Sequence, residues 1–284
     1  MASPLAAVFS GVALDTKIDT ASIDGKVTLG LAVDVTRGDL GSRVQVRYVV
    51  STGHVQVLRN DSVIADFAAS ELSPDSNSSL ALFMRGDVKV LGQSLGLPEE
   101  TLELHVPSIG GVPLSYTRFG TYAKITANII VNNSKIDPLA AFVFGQSTPN
   151  GSMPHTGSAT YTSDLFGAVV VPNGTNTKFY TLGDGSGSAT FGVNFGTGAI
   201  NTMINLDTDG GGNFGTLNGT GMVLSGGPAF NGALTGAGTG IFTGAFFGPT
   251  SPAEMGYVFE AKGSNWITYG NVFGTKNAPP PPPP

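Results

Sequence analysis

The sequence predicts an all-β protein, with an N-terminal antiparallel β domain followed by an antiparallel β-barrel of about eight strands. Hydrophobic and polar residues alternate with a period of two in nearly every patterned segment, which is typical of strands with one buried face. In the second half, turn-forming residues recur every ~8–12 residues, the spacing of a meander. The 17 phenylalanines and the many β-branched residues exclude global disorder.

The composition changes sharply near the middle of the chain. Residues 145–284 hold 29 of the 41 glycines but only nine of the 34 charged residues, and segment 145–151 (GQSTPNG) is rich in turn formers. We therefore expect an N-terminal β domain at residues 1–145 and a barrel at 152–276. Residues 277–284 are expected to be a mobile, dispensable tail, because its six prolines favour a polyproline II segment that makes no internal hydrogen bonds.

The first half is predicted to consist mainly of strands joined by long loops. In 26–36 the alternating apolar residues are Val27, Leu29, Leu31, Val33 and Val35. Segments 44–50 and 54–58 read as a hairpin around a glycine-containing turn, and segments 101–106 and 124–131 also alternate. The stretch 72–97 is less regular, and a short helix is predicted around 78–83.

The second half is predicted to be a closed barrel of short strands at 188–195, 200–206, 219–224, 229–234, 239–246, 255–261 and 266–273. Its inward faces carry aromatic residues that would fill the interior: Phe191, Phe195, Phe230 and Phe259. Glycines within the strands fit tightly coiled strands at barrel corners. A transmembrane barrel is the competing interpretation, but the strands are short and no pair of aromatic girdles is visible.

Charge and composition exclude several classes of function. The net charge of −6 argues against a nucleic-acid binder, which needs a basic face to neutralise phosphates. No apolar run reaches the ~18–20 residues of a membrane-spanning helix. With no cysteine, the sequence has no disulfide, no thiolate metal site and no Cys for lipid attachment. Residues 1–4 lack the features of a signal peptide, and we expect an export signal removed upstream rather than a cytosolic protein.

Catalytic motifs are scarce, so the sequence predicts a protein that is not an enzyme and has no catalytic residues. There are three histidines, no G-x-S-x-G motif, and no carboxylate cluster that assigns an acid and a base. Segment 207–213 (DTDGGGN) faintly resembles a calcium loop, but Asn218 stands where such a loop needs Glu. A metal ligand set is therefore unknown, and an enzyme with an unrecognised site stays the third alternative.

Several motifs resemble the barrel domains of the transferrin-binding protein B family. Residues 153–161 (MPHTGSATY) resemble the opening of the first barrel strand, and 190–204 are similar to a strand pair with an F-x-x-x-F-G element. Residues 242–249 (FTGAFFGP), followed by 253–257 (AEMGY), resemble the G-x-F-[YF]-G-P-x-A-x-E-x-G-G signature. Phe273 and Gly274 resemble the terminal F-G-A element, and residues 114–122 (LSYTRFGTY) fit the tyrosine-bearing strand that leads into the barrel.

The resemblance implies a single-lobe binding protein of a Gram-negative cell surface or medium, exported with help from an outer-membrane translocator. Family members with two lobes bind transferrin, whereas single-lobe relatives include haem carriers of the hemophilin type. A non-enzymatic role in haem or iron acquisition is therefore expected, with haem as the first candidate cargo and no covalent cofactor. The alternative is a structural or interaction module that binds a host or bacterial surface protein through the N-terminal β domain.

Ligand binding is predicted at the junction of the two domains, because a barrel of about eight strands is filled by its own side chains. A haem carrier without Cys needs His, Tyr or Met at the iron. We expect His155 as the ligand, supported by Tyr116 or Tyr122, with Phe119 in the apolar wall. His54 and His105 are further candidates, although Glu103 and His105 share the polar face of strand 101–106, which a solvated surface also explains.

Overall fold

The computed structural model confirms the predicted all-β fold class. It describes residues 8–21, 32–34, 43–49, 52–59, 62–87, 89–90, 93–94, 98–126, 133–173, 176–183, 185–225 and 227–277. The helical elements of these residues are two 3-10 turns, Ala69–Glu71 and Asn150–Ser152. No helix within these ranges is long and apolar enough to cross a membrane.

The N-terminal part forms a nine-stranded antiparallel sheet with two small hairpins beside it. The strands are β1 Val8–Ala21, β2 Ala32–Asp34, β3 Arg43–Val49, β4 His54–Arg59, β5 Ser62–Phe67, β6 Leu80–Arg85, β7 Lys89–Val90, β8 Gln93–Ser94, β9 Glu100–His105, β10 Ser108–Ile109, β11 Val112–Pro113, β12 Thr117–Thr126 and β13 Asn133–Gly145. The sheet order is β5-β4-β3-β1-β13-β12-β9-β6, with β2 paired to β1, while β7–β8 and β10–β11 are separate hairpins.

This sheet curls so that its two edge strands approach one another. The Arg85 guanidinium on β6 donates to the backbone oxygen of Asp66 on β5, binds the Glu100 carboxylate, and lies 4.7 Å from the centre of the Phe67 ring. Phe67 and Phe83 meet at 5.8 Å between ring centres. The curled sheet encloses its own apolar core, whose buried residues are Val46, Val57, Ala65, Phe67, Phe83, Leu102, Tyr122, Phe142 and Phe144.

The helix predicted around 78–83 is wrong, because Leu80–Arg85 is strand β6. Residues 80–85 pair with β9 over their whole length, from Leu80 opposite His105 to Arg85 opposite Glu100. Pairing with β9 satisfies the backbone groups of this segment and buries the Phe83 side chain, so tertiary contacts override a weak local pattern. Of the predicted strands at 26–36 and 124–131, residues 26–31, 35–36 and 127–131 lie outside the described residues.

The second part is the predicted closed antiparallel barrel. Its strands are β14 Ser158–Asn173, β15 Asn176–Leu182, β16 Ser188–Asn194, β17 Ala199–Asp207, β18 Asn213–Val223, β19 Ala229–Gly236, β20 Thr239–Phe247, β21 Glu254–Lys262 and β22 Ile267–Lys276. β15 and β16 pair with successive parts of the long strand β14, so together they occupy one strand position of the barrel. β14 also pairs with β22 from Tyr161 to Val170, which closes the barrel. With β15 and β16 counted as one, the barrel has eight strands.

Aromatic and aliphatic side chains fill the barrel interior, as the alternation in the sequence predicts. Phe191, Phe230 and Phe259 are buried in this core, and Phe195 packs against it at one end while remaining partly exposed. The Tyr257 hydroxyl, also fully buried, lies 2.7 Å from the Thr202 hydroxyl, and burial raises the pKa of this tyrosine. The packed interior leaves the binding of a large ligand to the outside of the barrel.

The last described residue, Asn277, is hydrogen-bonded to the barrel. Asn277, placed in the mobile tail by the sequence, donates from its backbone N–H to the Thr160 carbonyl at 2.9 Å and is bound through its side chain to Thr160 and Thr162. These bonds extend the β14–β22 pairing by one residue. The rest of the tail, residues 278–284, lies outside the described part of the chain. The division into domains at 145 and 152 stays a prediction, although no described strand is shared between the two large sheets.

Candidate functional site: an aromatic cleft between the sheet and the barrel

One face of the N-terminal sheet is packed directly against the outside of the barrel. On β13, Phe142 and Phe144 point into the curled sheet, whereas Ala141 and Val143 point towards the barrel. The buried cluster between the two parts consists of Leu114, Phe119, Ala141, Val143, Ala245, Phe247, Val258 and Phe273. Because residues 141–144 of β13 are apolar on both faces, this end of the strand forms the layer on which the two parts meet.

A buried carboxylate of the barrel is hydrogen-bonded to the start of β12. Glu254 on β21 accepts hydrogen bonds from three consecutive backbone N–H groups, those of Ser115, Tyr116 and Thr117, at 2.7, 2.9 and 2.8 Å. Glu254 is buried, so these donors replace the water that its charge would otherwise need. Nearby, Gly145 at the end of β13 passes so close to the Tyr116 carbonyl that a Cβ would overlap it.

Four aromatic rings form a stack at the edge of this interface. The His105 imidazole lies parallel to the Phe119 ring, with 4.5 Å between ring centres and 6° between planes. Phe119 in turn lies parallel to Phe273 of the barrel at 5.3 Å and 6°. Phe166 of β14 is tilted against both His105 and Phe119, at 5.3 Å from each. The stack therefore joins the sheet and the barrel through rings from both.

The polar side of His105 is held by a carboxylate on its own strand. His105 Nε2 lies 3.3 Å from Glu103 Oε2, which also accepts a hydrogen bond from the Thr121 hydroxyl at 3.1 Å. The hydrogen bond with His105 holds the pKa of Glu103 below its ordinary value. Glu103 is therefore ionised at neutral pH, and it orients the imidazole in the way that carboxylates orient ligand histidines.

The stack borders a cleft of about 380 Å³ that opens to solvent. Its aromatic lining is His105, Phe119, Phe166 and Phe273, and its polar lining includes Ser79, Ser108 and Asp164. A cleft with apolar walls and few polar groups at the rim is the usual form of a small-molecule site, and this volume lies at the lower end of the about 300–1,000 Å³ of such sites. The arrangement offers ring stacking and one imidazole to a flat ligand.

The structure brings together only part of the predicted site. His105 and Phe119 line the cleft, whereas Tyr116, His155 and Tyr122 do not. Tyr122 is buried in the core of the curled sheet, edge-on to Phe67. His155 is exposed in the turn before β14.

His54 lies apart from the cleft, on the N-terminal sheet. Its Nδ1 is 2.8 Å from Asp66 Oδ1, and Asp66 also accepts from Gln56 Nε2 at 2.8 Å. The hydrogen bond from Gln56, followed by those with His54, keeps the pKa of Asp66 below its ordinary value. Gln56 in turn accepts from the Arg47 guanidinium, so His54 ends a polar row across β3, β4 and β5.

The sequence does not identify the two aromatic barrel residues of the cleft, Phe166 and Phe273, as site residues. Phe273 belongs to the motif that resembles the terminal F-G-A element, and Phe166 belongs to no motif. A signal for their burial is present in the neighbouring strand: residues 139–144 (LAAFVF) are continuously apolar, which is typical of a strand covered on both faces. That run indicates a second layer over β13, but not which barrel residues form it.

The glycine-rich loops of the barrel are turns. Asp207 pairs with Asn213, and the Thr208 N–H donates to the Gly212 carbonyl at 2.9 Å, so the segment that faintly resembled a calcium loop is the β17–β18 turn. Within the ranges given above, no group of three or more His, Asp or Glu side chains is placed to hold a metal ion.

Comparisons with known proteins give matches only at the level of structure. No family model and no curated protein matches the chain. The chain is similar to transferrin binding protein B from Haemophilus parasuis (12% identity, 97% of this chain and 77% of that one, TM-score 0.44). It is also similar to the haemoglobin receptor HpuA from Kingella denitrificans (17% identity, 98% of this chain and 89% of that one, TM-score 0.41). A surface lipoprotein is similar too (14% identity, 93% of this chain and 98% of that one, TM-score 0.43).

Proposed function

We propose that this protein is a non-enzymatic binding protein of a Gram-negative cell surface, or one secreted from it, that acquires haem. The observation that carries the proposal is the parallel stacking of His105 on Phe119 at the mouth of the cleft between the sheet and the barrel. An apolar aromatic wall and one neutral imidazole are the least that a haem site without Cys requires. Export through an outer-membrane translocator is part of the proposal and rests on the sequence motifs.

His105 is the axial ligand in this proposal, in place of His155. When the Nε2–H of His105 donates to the Glu103 carboxylate, the lone pair of Nδ1 is left for iron. Phe166 and Phe273 supply the aromatic wall from the barrel side. Ser79 and Ser108 are exposed at the rim, so the part of a porphyrin that the cleft does not hold would extend past them.

The remaining predicted ligands keep lesser roles. Tyr116 lies next to the cleft wall and is packed against the buried cluster between sheet and barrel. His54, with its Nδ1 held by Asp66, is the second candidate for iron. Neither His155 nor Tyr122 lines the cleft, and neither is assigned a role at the iron.

A hemin titration followed by absorbance tests the proposal. The wild type is expected to give a Soret shift with saturable binding, and His105→Phe is expected to lose it. Phenylalanine keeps the ring stacked on Phe119 but removes the nitrogen ligand, so it separates coordination from packing. His155→Ala, at an exposed site outside the cleft, is the control and should bind as the wild type does. Loss of binding in His54→Phe but not in His105→Phe would assign the iron to His54 and contradict the role of His105. A Soret shift of equal affinity in His105→Phe, or none in the wild type, contradicts the proposal.

A protein partner is the second candidate, favoured by exposed apolar side chains on the N-terminal sheet and its loop. Tyr48, Val63 and Leu72 are each more than two fifths exposed. They lie on β3, on β5 and in the segment before β6, and in this alternative they contact the partner. A wild type that gives no Soret shift but binds a surface protein, with binding lost in Tyr48→Ser, supports this alternative.

A further inference from the structure

A large part of the barrel surface carries no charge. Strands β16, β18, β19 and β20 contain no Lys, Arg, Asp, Glu or His, and β17 contains only Asp207 at its end. Two neighbouring rows of outward side chains cross five strands on this side. We call these two rows the neutral face.

The first row runs along one register line of the barrel. Pairing places Thr162 opposite Thr190, Thr190 opposite Met203, Met203 opposite Asn218, and Asn218 opposite Thr235. Thr162, Thr190, Asn218 and Thr235 are exposed, and the Met203 side chain is 40% exposed. Neighbouring strands lie ~4.8 Å apart, so the row repeats polar groups at a regular spacing.

The second row contains a gap at Gly192, which has no side chain. It consists of Thr160, Gly192, Asn201, Thr220 and Ala233. Gly192 lies between Thr160 and Asn201, and together with Met203 and Asn277 these residues line a groove of about 450 Å³. The groove is separate from the aromatic cleft and shares no residue with it.

One wall of the groove is fixed in place by hydrogen bonds. The Thr162 hydroxyl donates to Asn277 Oδ1 at 2.6 Å, and Asn277 Nδ2 donates to the Thr160 hydroxyl at 2.9 Å. Opposite this wall, Asn201 is exposed on β17. A rigid wall of hydroxyls and an amide loses little conformational entropy when a ligand binds.

We propose that the neutral face binds an uncharged polysaccharide, which lies across the strands with one sugar unit in the groove at Gly192. Sugar hydroxyls both donate and accept hydrogen bonds, as Asn amides and Thr hydroxyls do. A repeating polymer matches the repeated polar groups of the rows. Met203 supplies an apolar contact for the C–H groups of a ring.

Other partners fit this face less well. Nucleic acids and anionic lipids need Lys or Arg, of which the two rows have none. The core of a stable interface between two copies is enriched in aromatic residues, Met and Arg, whereas these rows carry mostly Thr and Asn. An uncharged hydroxylated ligand is therefore the partner that the face matches best.

Gly192→Gln tests the proposal because it fills the groove without straining the strand. An added Cβ at Gly192 meets no heavy atom closer than the Ala159 carbonyl oxygen at 3.9 Å. Thr239→Gln places the same side chain at an exposed position of β20 outside the two rows and is the matched control. Thermal melts of both variants check that the barrel is intact.

Affinity electrophoresis through gels containing dextran, mannan or soluble starch gives the readout. The wild type and Thr239→Gln are expected to be retarded by at least one of these polymers, and Gly192→Gln to bind it about tenfold more weakly. Polyanionic alginate should retard neither. The proposal is overturned if none of the three uncharged polymers retards the wild type, or if Gly192→Gln binds as well as the control. Self-association lost in Gly192→Gln, without polysaccharide binding, would assign the face to a second copy and equally overturn it.

Discussion

The Glu254 carboxylate accepts a hydrogen bond from the backbone N–H of Thr117 at 2.8 Å, although 137 residues separate the two in the chain. Glu254 belongs to the A-E-x-G motif on β21, and Thr117 is the first residue of β12. A motif recognised from sequence alone is thus the point at which the barrel holds the N-terminal sheet.

Replacing Glu254 with Gln is expected to destabilise the protein by about 2–3 kcal/mol, the loss typical of a buried hydrogen bond to a charged group. In Gln one carboxylate oxygen becomes an NH2 group that cannot accept, so at least one of the three bonds from Ser115, Tyr116 and Thr117 is lost and the others lose the charge. Urea unfolding gives the change in free energy, and Glu99→Gln, at an exposed site, is the control. Equal midpoints for the two variants would show that the three hydrogen bonds contribute nothing.

Gly145→Ala is expected to lower the free energy of unfolding by about 3 kcal/mol, because the new Cβ would overlap the Tyr116 carbonyl and approach the Phe247 ring. Gly151→Ala lies six residues further on, where no heavy atom lies within 4 Å of an added Cβ, and should leave the melting temperature unchanged. Calorimetry of both variants measures the difference. If Gly145→Ala melts with the wild type, the close approach of β13 to Tyr116 does not exist in solution.

Stability is expected to fall in acid in a way that depends on Glu100. Burial alone would raise the pKa of this carboxyl, but hydrogen bonds from Lys124 and the Arg85 guanidinium outweigh it and lower the pKa below its ordinary value of 4.5. Since the unfolded chain binds the proton more tightly, the stabilisation is complete above pH 4.5 and is lost as pH falls through the folded pKa.

The measurement is the free energy of unfolding between about pH 3 and pH 6 for the wild type and Glu100→Gln. Glu100→Gln should be less stable at pH 6 and should show a shallower fall below pH 4.5. Parallel curves for the two proteins would mean that Glu100 does not carry the acid dependence.

Two truncations should distinguish the contribution of Asn277 to stability from that of the proline tail. Removing residues 278–284 should leave the melting temperature unchanged, because polyproline makes no internal hydrogen bonds. Removing 277–284 should lower stability by about 1 kcal/mol, since the bonds to Thr160 and Thr162 are lost. A large drop on removing 278–284 alone would show that the tail docks on the fold.

Alternation of apolar and polar residues predicted the barrel strands from residue 188 onwards and the filling of the barrel. Phe191, Phe230 and Phe259 fall on inward positions because the side-chain period of a strand is two, whatever the tertiary context. The stretch 78–83 shows where this fails, since its strand forms only because β9 lies beside it.

By itself, the sequence determined the fold class, the change of composition near residue 145 and the absence of charge on four barrel strands. Only the tertiary structure decided which histidine meets the aromatic rings. His105 and Phe119 face each other because β9 pairs with β12 in that register, and Phe273 joins them because Glu254 and the close approach at Gly145 set how the sheet lies on the barrel. Periodicity indicates which face of a strand is apolar, but the surface that covers this face is chosen by packing between segments distant in the chain.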